Sequence, residues 1–304
     1  ASIGNLTRIS SLQLYNNLVG GTIPRQVATM SVSQIRLENN RVHGTLPSEI
    51  GAMTALRLLY ASNNQLSGTL PDAMFDAPRL ADLNLGGNDL SGDLTGPRGG
   101  NSPLAIMRLN RNPMLNGTMT AAIGGFTALK ELHVHECGLH GAIPSEIGLL
   151  TKLQQLFLQR NMFSSIPSEF GLMRNLQHAV LHDNVISSSI PSTIGLLTKL
   201  HSLQLYSNPI ASSIPTEIGT MNELRLLRLH GLRLFGTLPS EMGQMTSLTT
   251  LYANGNSFKL SGTLPSQMGN MAALRDVQLN NNDIDGTIPS ELGQLSMLKD
   301  FRVN

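Results

Sequence analysis

Gly44-Thr-Leu-Pro47-Ser-Glu-Ile50-Gly51 returns as Gly141-Ala-Ile-Pro144-Ser-Glu-Ile147-Gly148, and Leu12-Gln-Leu14-Tyr-Asn-Asn17 returns as Leu203-Gln-Leu205-Tyr-Ser-Asn208. Joined, the two stretches form one template, L-x-x-L-x-L-x-x-N-x-L-x-G-x-[IL]-P-x-x-[IM]-G-x-[LM]. It starts at Ile9, Val32, Leu56, Leu80, Leu104, Leu129, Leu153, Leu176, Leu200, Leu224, Leu248, Leu274 and, truncated, Leu298. From Ile9 to Leu298 is 289 residues in 12 steps of about 24. Such self-similarity is the signature of a stacked repeat, in which one coil cannot bury its own apolar face but a stack of coils can.

Each part of the template has a physical reading. The x-L-x-L-x segment is a short strand of period 2, with leucines inward and x residues outward. The Asn that follows (Asn17, Asn40, Asn64, Asn88, Asn112, Asn161, Asn184, Asn208, Asn256, Asn282) offers a buried amide to a backbone that bends out of the strand, predicting a ladder of amides through the stack. Gly-x-Leu-Pro begins the return path, and Ser-Glu-Ile-Gly offers a short helical turn closed by glycine. The expected fold is an α/β repeat solenoid over residues 1–304: a superhelix with a concave parallel β-sheet and short 3-10 or helical turns on the convex side.

The coils resemble the plant-type leucine-rich repeat, in which L-x-G-x-I-P follows the strand and Asn segment. That family includes ectodomains of plant receptor-like kinases, receptor-like proteins and polygalacturonase-inhibiting proteins, with relatives in algae and protists. The resemblance spans essentially the whole chain. It implies a non-enzymatic domain that binds a protein or peptide, at the cell surface or outside the cell, with an organelle lumen as the alternative.

Composition narrows the classes. Of 304 residues, 21 are Lys or Arg and 20 Asp or Glu, a net charge of +1, so no basic field exists to hold nucleic acid or anionic lipid. No apolar run approaches a bilayer's thickness, so no membrane insertion is expected. One Cys excludes an intramolecular disulfide. Catalytic and phosphate-binding motifs are missing, so no enzyme, cofactor or metal is expected. Both ends break inside the template without caps, and no charged, apolar leader follows Ala1, so any signal peptide is expected to have been removed already or never to have been part of this chain. We therefore expect a segment of a longer protein, or ends covered by end-to-end or assembly contacts.

Three departures carry local expectations. Cys137 takes the Asn position of its coil as a structural thiol, and Leu232 takes it in another, predicting a lost rung. Thr95–Pro103 replaces the Pro and Ile-Gly segment without changing the repeat length, and serines replace the glycine in three coils at Ser164-Ser165, Ser187-Ser188-Ser189 and Ser212-Ser213.

The outward x positions are where a ligand would be read. One row across the strands is Gln13, Arg36, Tyr60, Asn84, Arg108, His133, Phe157, Val180, Gln204, Arg228, Tyr252, Gln278, Arg302. The next holds Tyr15, Glu38, His135, Gln159, His182, Tyr206, His230, Asn254. Aromatic and Arg side chains on rigid strands are the usual anchors of protein contacts. The partner-binding candidates are Tyr60, Arg108, His133, His135, Phe157, Gln159, His182, Tyr206, Arg228, His230 and Tyr252. Asn5-Leu-Thr and Asn116-Gly-Thr are glycosylation sequons. The alternatives are a structural scaffold subunit, or ice or polysaccharide binding by the lateral row Thr22, Thr45, Thr69, Thr118, Thr237, Thr263, Thr287.

Overall fold

A computed structural model describes residues 3–6 and 8–303; Ala1, Thr7 of the first sequon and Asn304 lie outside them. The chain divides into two compact units, Ala1–Leu153 and Gln154–Asn304.

In the first unit, Ser11–Gln13, Gln34–Arg36, Leu58–Tyr60, Asp82–Asn84, Ile106–Arg108 and Glu131–His133 pair in parallel and in coil order. Their register sets Leu12 beside Ile35, Leu59, Leu83, Met107 and Leu132, and Gln13 beside Arg36, Tyr60, Asn84, Arg108 and His133. In the second unit, seven strands from Gln155–Phe157 to Asp300–Arg302 repeat the arrangement, with Phe157, Val180, Gln204, Arg228, Tyr252, Gln278 and Arg302 in one row. Both rows are those expected from period 2. From Ile35 to Val277 the middle residue of every strand in these rows is buried, because it points inward from the sheet.

Every helical segment among the described residues is a 3-10 helix, and none is an α-helix. Pro47, Pro144, Pro191 and Pro239 show why: each holds φ between −63° and −71° at the N-cap, and its carbonyl accepts the N–H of Ile50, Ile147, Ile194 or Met242. The coil holding Thr95–Pro103 has no such turn. There the N–H groups of Arg98 and Gly99 bond Asp76 Oδ1, while Phe75 and Phe126 of the flanking coils meet edge to face at 5.0 Å.

The amide ladder is present in both units. Asn88 Nδ2 donates to Ala61 O of the preceding coil and Leu85 O of its own, and its Oδ1 accepts the Leu66 N–H, all at 2.9–3.0 Å. Asn208 repeats the set with Leu181, Leu205 and Ile186. Cys137 fills the rung with its thiol 3.4 Å from Leu109 O, and burial pushes that thiol up to about 11, so it stays protonated and inert. Leu232 is 2% exposed and supplies no polar group; Ile210 N–H, which an amide at 232 would serve, has no hydrogen bond among the described residues. The ladder does lose a rung there.

One regularity has no signature in the template. The residue before each rung adopts the left-handed region, and nine of these positions are not glycine: Asn16, Asn39, Asn63, Arg111, Glu136, Arg160, Asp183, Ser207 and Asn281, with φ of 53° to 58°. A strained φ is tolerated because the rung amide on its C-terminal side over-determines the bend. The template glycines are more constrained. Gly44 and Gly68 sit at φ +80° and +76°, and a Cβ there would stand 2.9 and 2.8 Å from the Thr22 and Thr45 methyls. Where serine replaces glycine the hydroxyl takes a backbone role: Ser188 Oγ accepts Ile166 N–H and Ser212 Oγ accepts Ile190 N–H.

Candidate functional site

The sequence candidates fall on both units, and the two faces differ. On the first, Tyr60 donates to Asp82 Oδ2 at 2.6 Å, and Arg108 reaches Asp82 Oδ1 at 3.7 Å and Glu131 Oε2 at 2.6 Å. Burial, then the Asp82 hydrogen bond, pushes the Tyr60 phenol up to about 12. Burial also raises Asp82, against the lowering effects of the Tyr60 hydroxyl and Arg108. Arg36 lies over the Tyr15 ring at 4.5 Å and forks onto Glu38 Oε1 at 3.0 and 2.8 Å. His133 stands 3.9 Å from Glu131, and its ring centroid is 6.3 Å from that of His135. No group of three or more His, Cys, Asp or Glu side chains suited to a metal occurs among the described residues.

On the second unit the coils present rings. His182 stacks on Tyr206 with centroids 4.2 Å apart and planes 9° apart, Tyr206 stacks on His230 at 4.5 Å and 12°, and His230 meets Tyr252 edge-on at 6.2 Å. The spacing follows from the fold, because adjacent strands at about 4.8 Å bring equivalent outward side chains to ring-stacking distance. Arg228 lies 5.6 Å from the Tyr252 centroid, its Nη1 lies 3.4 Å from Gln204 Oε1, and the guanidinium also bonds the Tyr206 hydroxyl. Its Nε and the His230 Nδ1 are both screened from solvent and without a hydrogen-bond partner. Burial lowers the His230 pKa, with Arg228 and His182 adding to the shift and Asp183 opposing it. Tyr206, Arg228, His230, Tyr252, Asn254 and Gln278 line a cavity of about 320 Å³.

Of the remaining candidates, Phe157 and Gln159 are half-buried on the second unit. Val180, beside Phe157 in register, is only 6% exposed, so that outward position is covered. The reading of outward rows missed Asp82 and Glu131, which belong to a further outward row two residues before Asn84 and His133. The strand alternation contained that signal. Asn116 is exposed, and its carbonyl lies 2.9 Å from His140 Nδ1. The lateral threonines have a packing reason, since the Thr69, Thr237 and Thr263 methyls also lie 2.7–3.0 Å from where the next coil's glycine would carry a Cβ.

Comparison with known proteins agrees with the repeat. The family described as leucine-rich repeat region matches residues 103–230, and the Leucine Rich Repeat family matches 55–76 and 273–295. The chain has the leucine-rich repeat fold. Its fold resembles that of PEPR1 in the crystal structure of PEPR1–AtPEP1, with 28% identity, a TM-score of 0.91, and coverage of 99% of this chain and 42% of that one. The Arabidopsis receptor kinase HAESA, in complex with the peptide hormone IDA and the co-receptor SERK1, shares 29% identity with a TM-score of 0.76, covering 99% and 54%. A leucine-rich repeat protein of Leptospira interrogans shares 28% with a TM-score of 0.79, covering 99% and 74%. The chain thus spans about half the length of the plant receptor chains it resembles. No curated protein matches the sequence. No helix among the described residues is long and apolar enough to cross a membrane.

Proposed function

We propose that this leucine-rich repeat protein is a recognition domain that binds a protein or peptide across the strand face of Gln154–Asn304. The observation that carries the reading is the stacked row His182, Tyr206 and His230, continued by Tyr252 and flanked by Arg228. Large rings held at fixed spacing on backbone that needs no reordering lose little entropy on association. Similarity to the PEPR1–AtPEP1 complex and to HAESA bound to a peptide hormone and a co-receptor supports a peptide or protein as the ligand class. The likeness to an ectodomain of a plant membrane receptor kinase supports a place at the cell surface, where the Asn116 sequon would carry glycan. No enzymatic step is part of this reading.

The test is affinity capture with the wild-type chain, identification of the retained protein or peptide, and direct binding of that purified partner to variants. Tyr206→Ala with His230→Ala is expected to weaken binding at least about tenfold, while Tyr60→Ala leaves it within about twofold. Equal affinity across the variants would sink the assignment to this face.

A further inference from the structure

Beneath the ring row, one junction between coils is held differently from its neighbours. At a regular junction the rung amide makes two bonds into the preceding coil: Asn208 Nδ2 donates to Leu181 O at 3.0 Å and its Oδ1 accepts the Ile186 N–H at 3.0 Å. Asn282 does the same with Ala253 O at 2.8 Å and the Leu260 N–H at 3.1 Å. Between coils 200–223 and 224–247, Leu232 supplies neither bond, and the N–H of the fully buried Ile210 has no hydrogen bond among the described residues. The defect reaches one coil further. Asn256 accepts the Leu232 N–H at 3.2 Å and donates to Ala253 O of its own coil at 2.7 Å, but it does not bond the carbonyl of the fully buried Leu229, which has no donor among the described residues. Two backbone groups taken out of water without partners make this the place in the second unit where local opening meets least resistance.

On the outward face the same junction is bridged by side chains. Tyr206 stacks on His230 at 4.5 Å, and Arg228 bonds the Tyr206 hydroxyl and reaches Gln204 Oε1 at 3.4 Å. On the bends, an open cavity of about 300 Å³ lined by Ser207, Pro209, Gly231, Leu232, Arg233 and Gly255 leaves the backbone uncovered. We propose that this junction is a joint that opens locally in the free chain, with the stack of Tyr206 on His230 as its clasp, so that occupancy of the ring row sets how tightly the joint closes.

The paired strands keep Leu203 beside Leu227, so the opening is confined to residues 206–210 and 230–233 and leaves the coils stacked. The joint and its clasp are properties of the free chain; the link to occupancy rests on the recognition reading of the same face. That link is reciprocal. A partner that holds Tyr206 and His230 together closes the joint, and a chain whose joint is already closed binds the partner more tightly, because less is left to order.

Hydrogen exchange of the full chain, followed by NMR, reads the joint through two amides at the same template position, each bonded to the next coil: Ser207 N–H to His230 O at 3.3 Å and Asp183 N–H to Tyr206 O at 3.2 Å. After correction for intrinsic rates, Ser207 is expected to exchange at least about tenfold faster than Asp183. Leu232→Asn, which restores the rung, should bring the two rates within about twofold, and Asn208→Leu, which makes a second defect one junction back, should speed Asp183. If Leu232→Asn does not fold, Asn208→Leu decides alone. The clasp is read by Tyr206→Ala with His230→Ala, which should speed Ser207 by a further factor of about three in the wild-type background and leave it unchanged when Leu232→Asn is also present. Equal protection of Ser207 and Asp183 in the wild-type chain, or rates that the rung substitutions do not move, would overturn the joint; Ser207 exchange indifferent to the loss of both rings would overturn the clasp. All of these readings are made without a partner, so they fail or succeed separately from the loss of binding that tests the recognition face.

Discussion

On the first unit Arg108 ends on Asp82 and Glu131; on the second Arg228, at the equivalent strand position, ends on Gln204 and the ring of Tyr252. Backbone, register and buried leucines are the same in both, so the difference lies in the outward residues alone. Where carboxylates occupy the outward row two residues earlier, the face satisfies itself. Where that row holds Ser202, Leu226 and Thr250 instead, as around Arg228, the cation has no carboxylate beside it. A repeat scaffold thus separates stability from recognition, because the template residues build the core and the x residues are free to close a network or leave it open.

The sharpest break of this comparison is to delete each arginine in turn. Arg108→Met leaves Asp82 and Glu131 close together without their cation, and should lower unfolding stability by about 1 to 2 kcal/mol in urea denaturation, a figure already reduced for the partial exposure of the pair. Arg228→Met removes a guanidinium that has no charged partner, and should change stability by less than about 0.5 kcal/mol in either direction. Equal losses would mean that Arg228 is held by the fold after all.

A smaller effect comes from making the second face imitate the first. Gln204 already reaches Arg228 at 3.4 Å, so Gln204→Glu supplies the missing carboxylate at the same length of side chain. The pair should add about 0.5 kcal/mol at low salt, and the gain should shrink in 1 M salt as the charges are screened. No gain at low salt would mean that the two side chains do not pair.

How much of this was legible beforehand depended on which side of the strand a residue served. Leucine, Asn and Gly positions are held by packing and by buried hydrogen bonds, and so recur: the parallel register, the amide ladder with its gap at Leu232, and both outward rows follow from the template. The bend before each rung was not legible, because its side chain points to solvent and any residue serves. Arg111, Glu136, Arg160 and Asp183 alternate in charge and pair, Arg111–Glu136 at 3.2 Å and Arg160–Asp183 at 3.8 Å, but nothing in their identity announces a positive φ. The stacking of His182, Tyr206 and His230 was legible only as a shared row. Which arginine was neutralised depended on Asp82 and Glu131, whose outward positions the two rows did not include.

The smallest expected effect is a pH dependence confined to the second face. Burial lowers the pKa of His230, and burial together with the neighbouring His201 lowers that of His178, whose ring lies 5.9 Å from it. Both rings therefore bind a proton less readily in the folded chain than in the unfolded one, where the ordinary value is about 6.5. As pH falls through that value the unfolded state takes up the proton first, so their contribution to stability is fully present above pH 7 and is lost as pH drops through the folded values. Comparing denaturation midpoints at pH 7.5 and 5.5 for wild type and for His178→Gln with His230→Gln isolates this contribution, and the double variant should lose less on acidification. Tyr60→Phe touches neither histidine and should leave the difference between the two pH values as it is in wild type. A double variant as acid-sensitive as wild type would show that neither ring is held neutral by the fold.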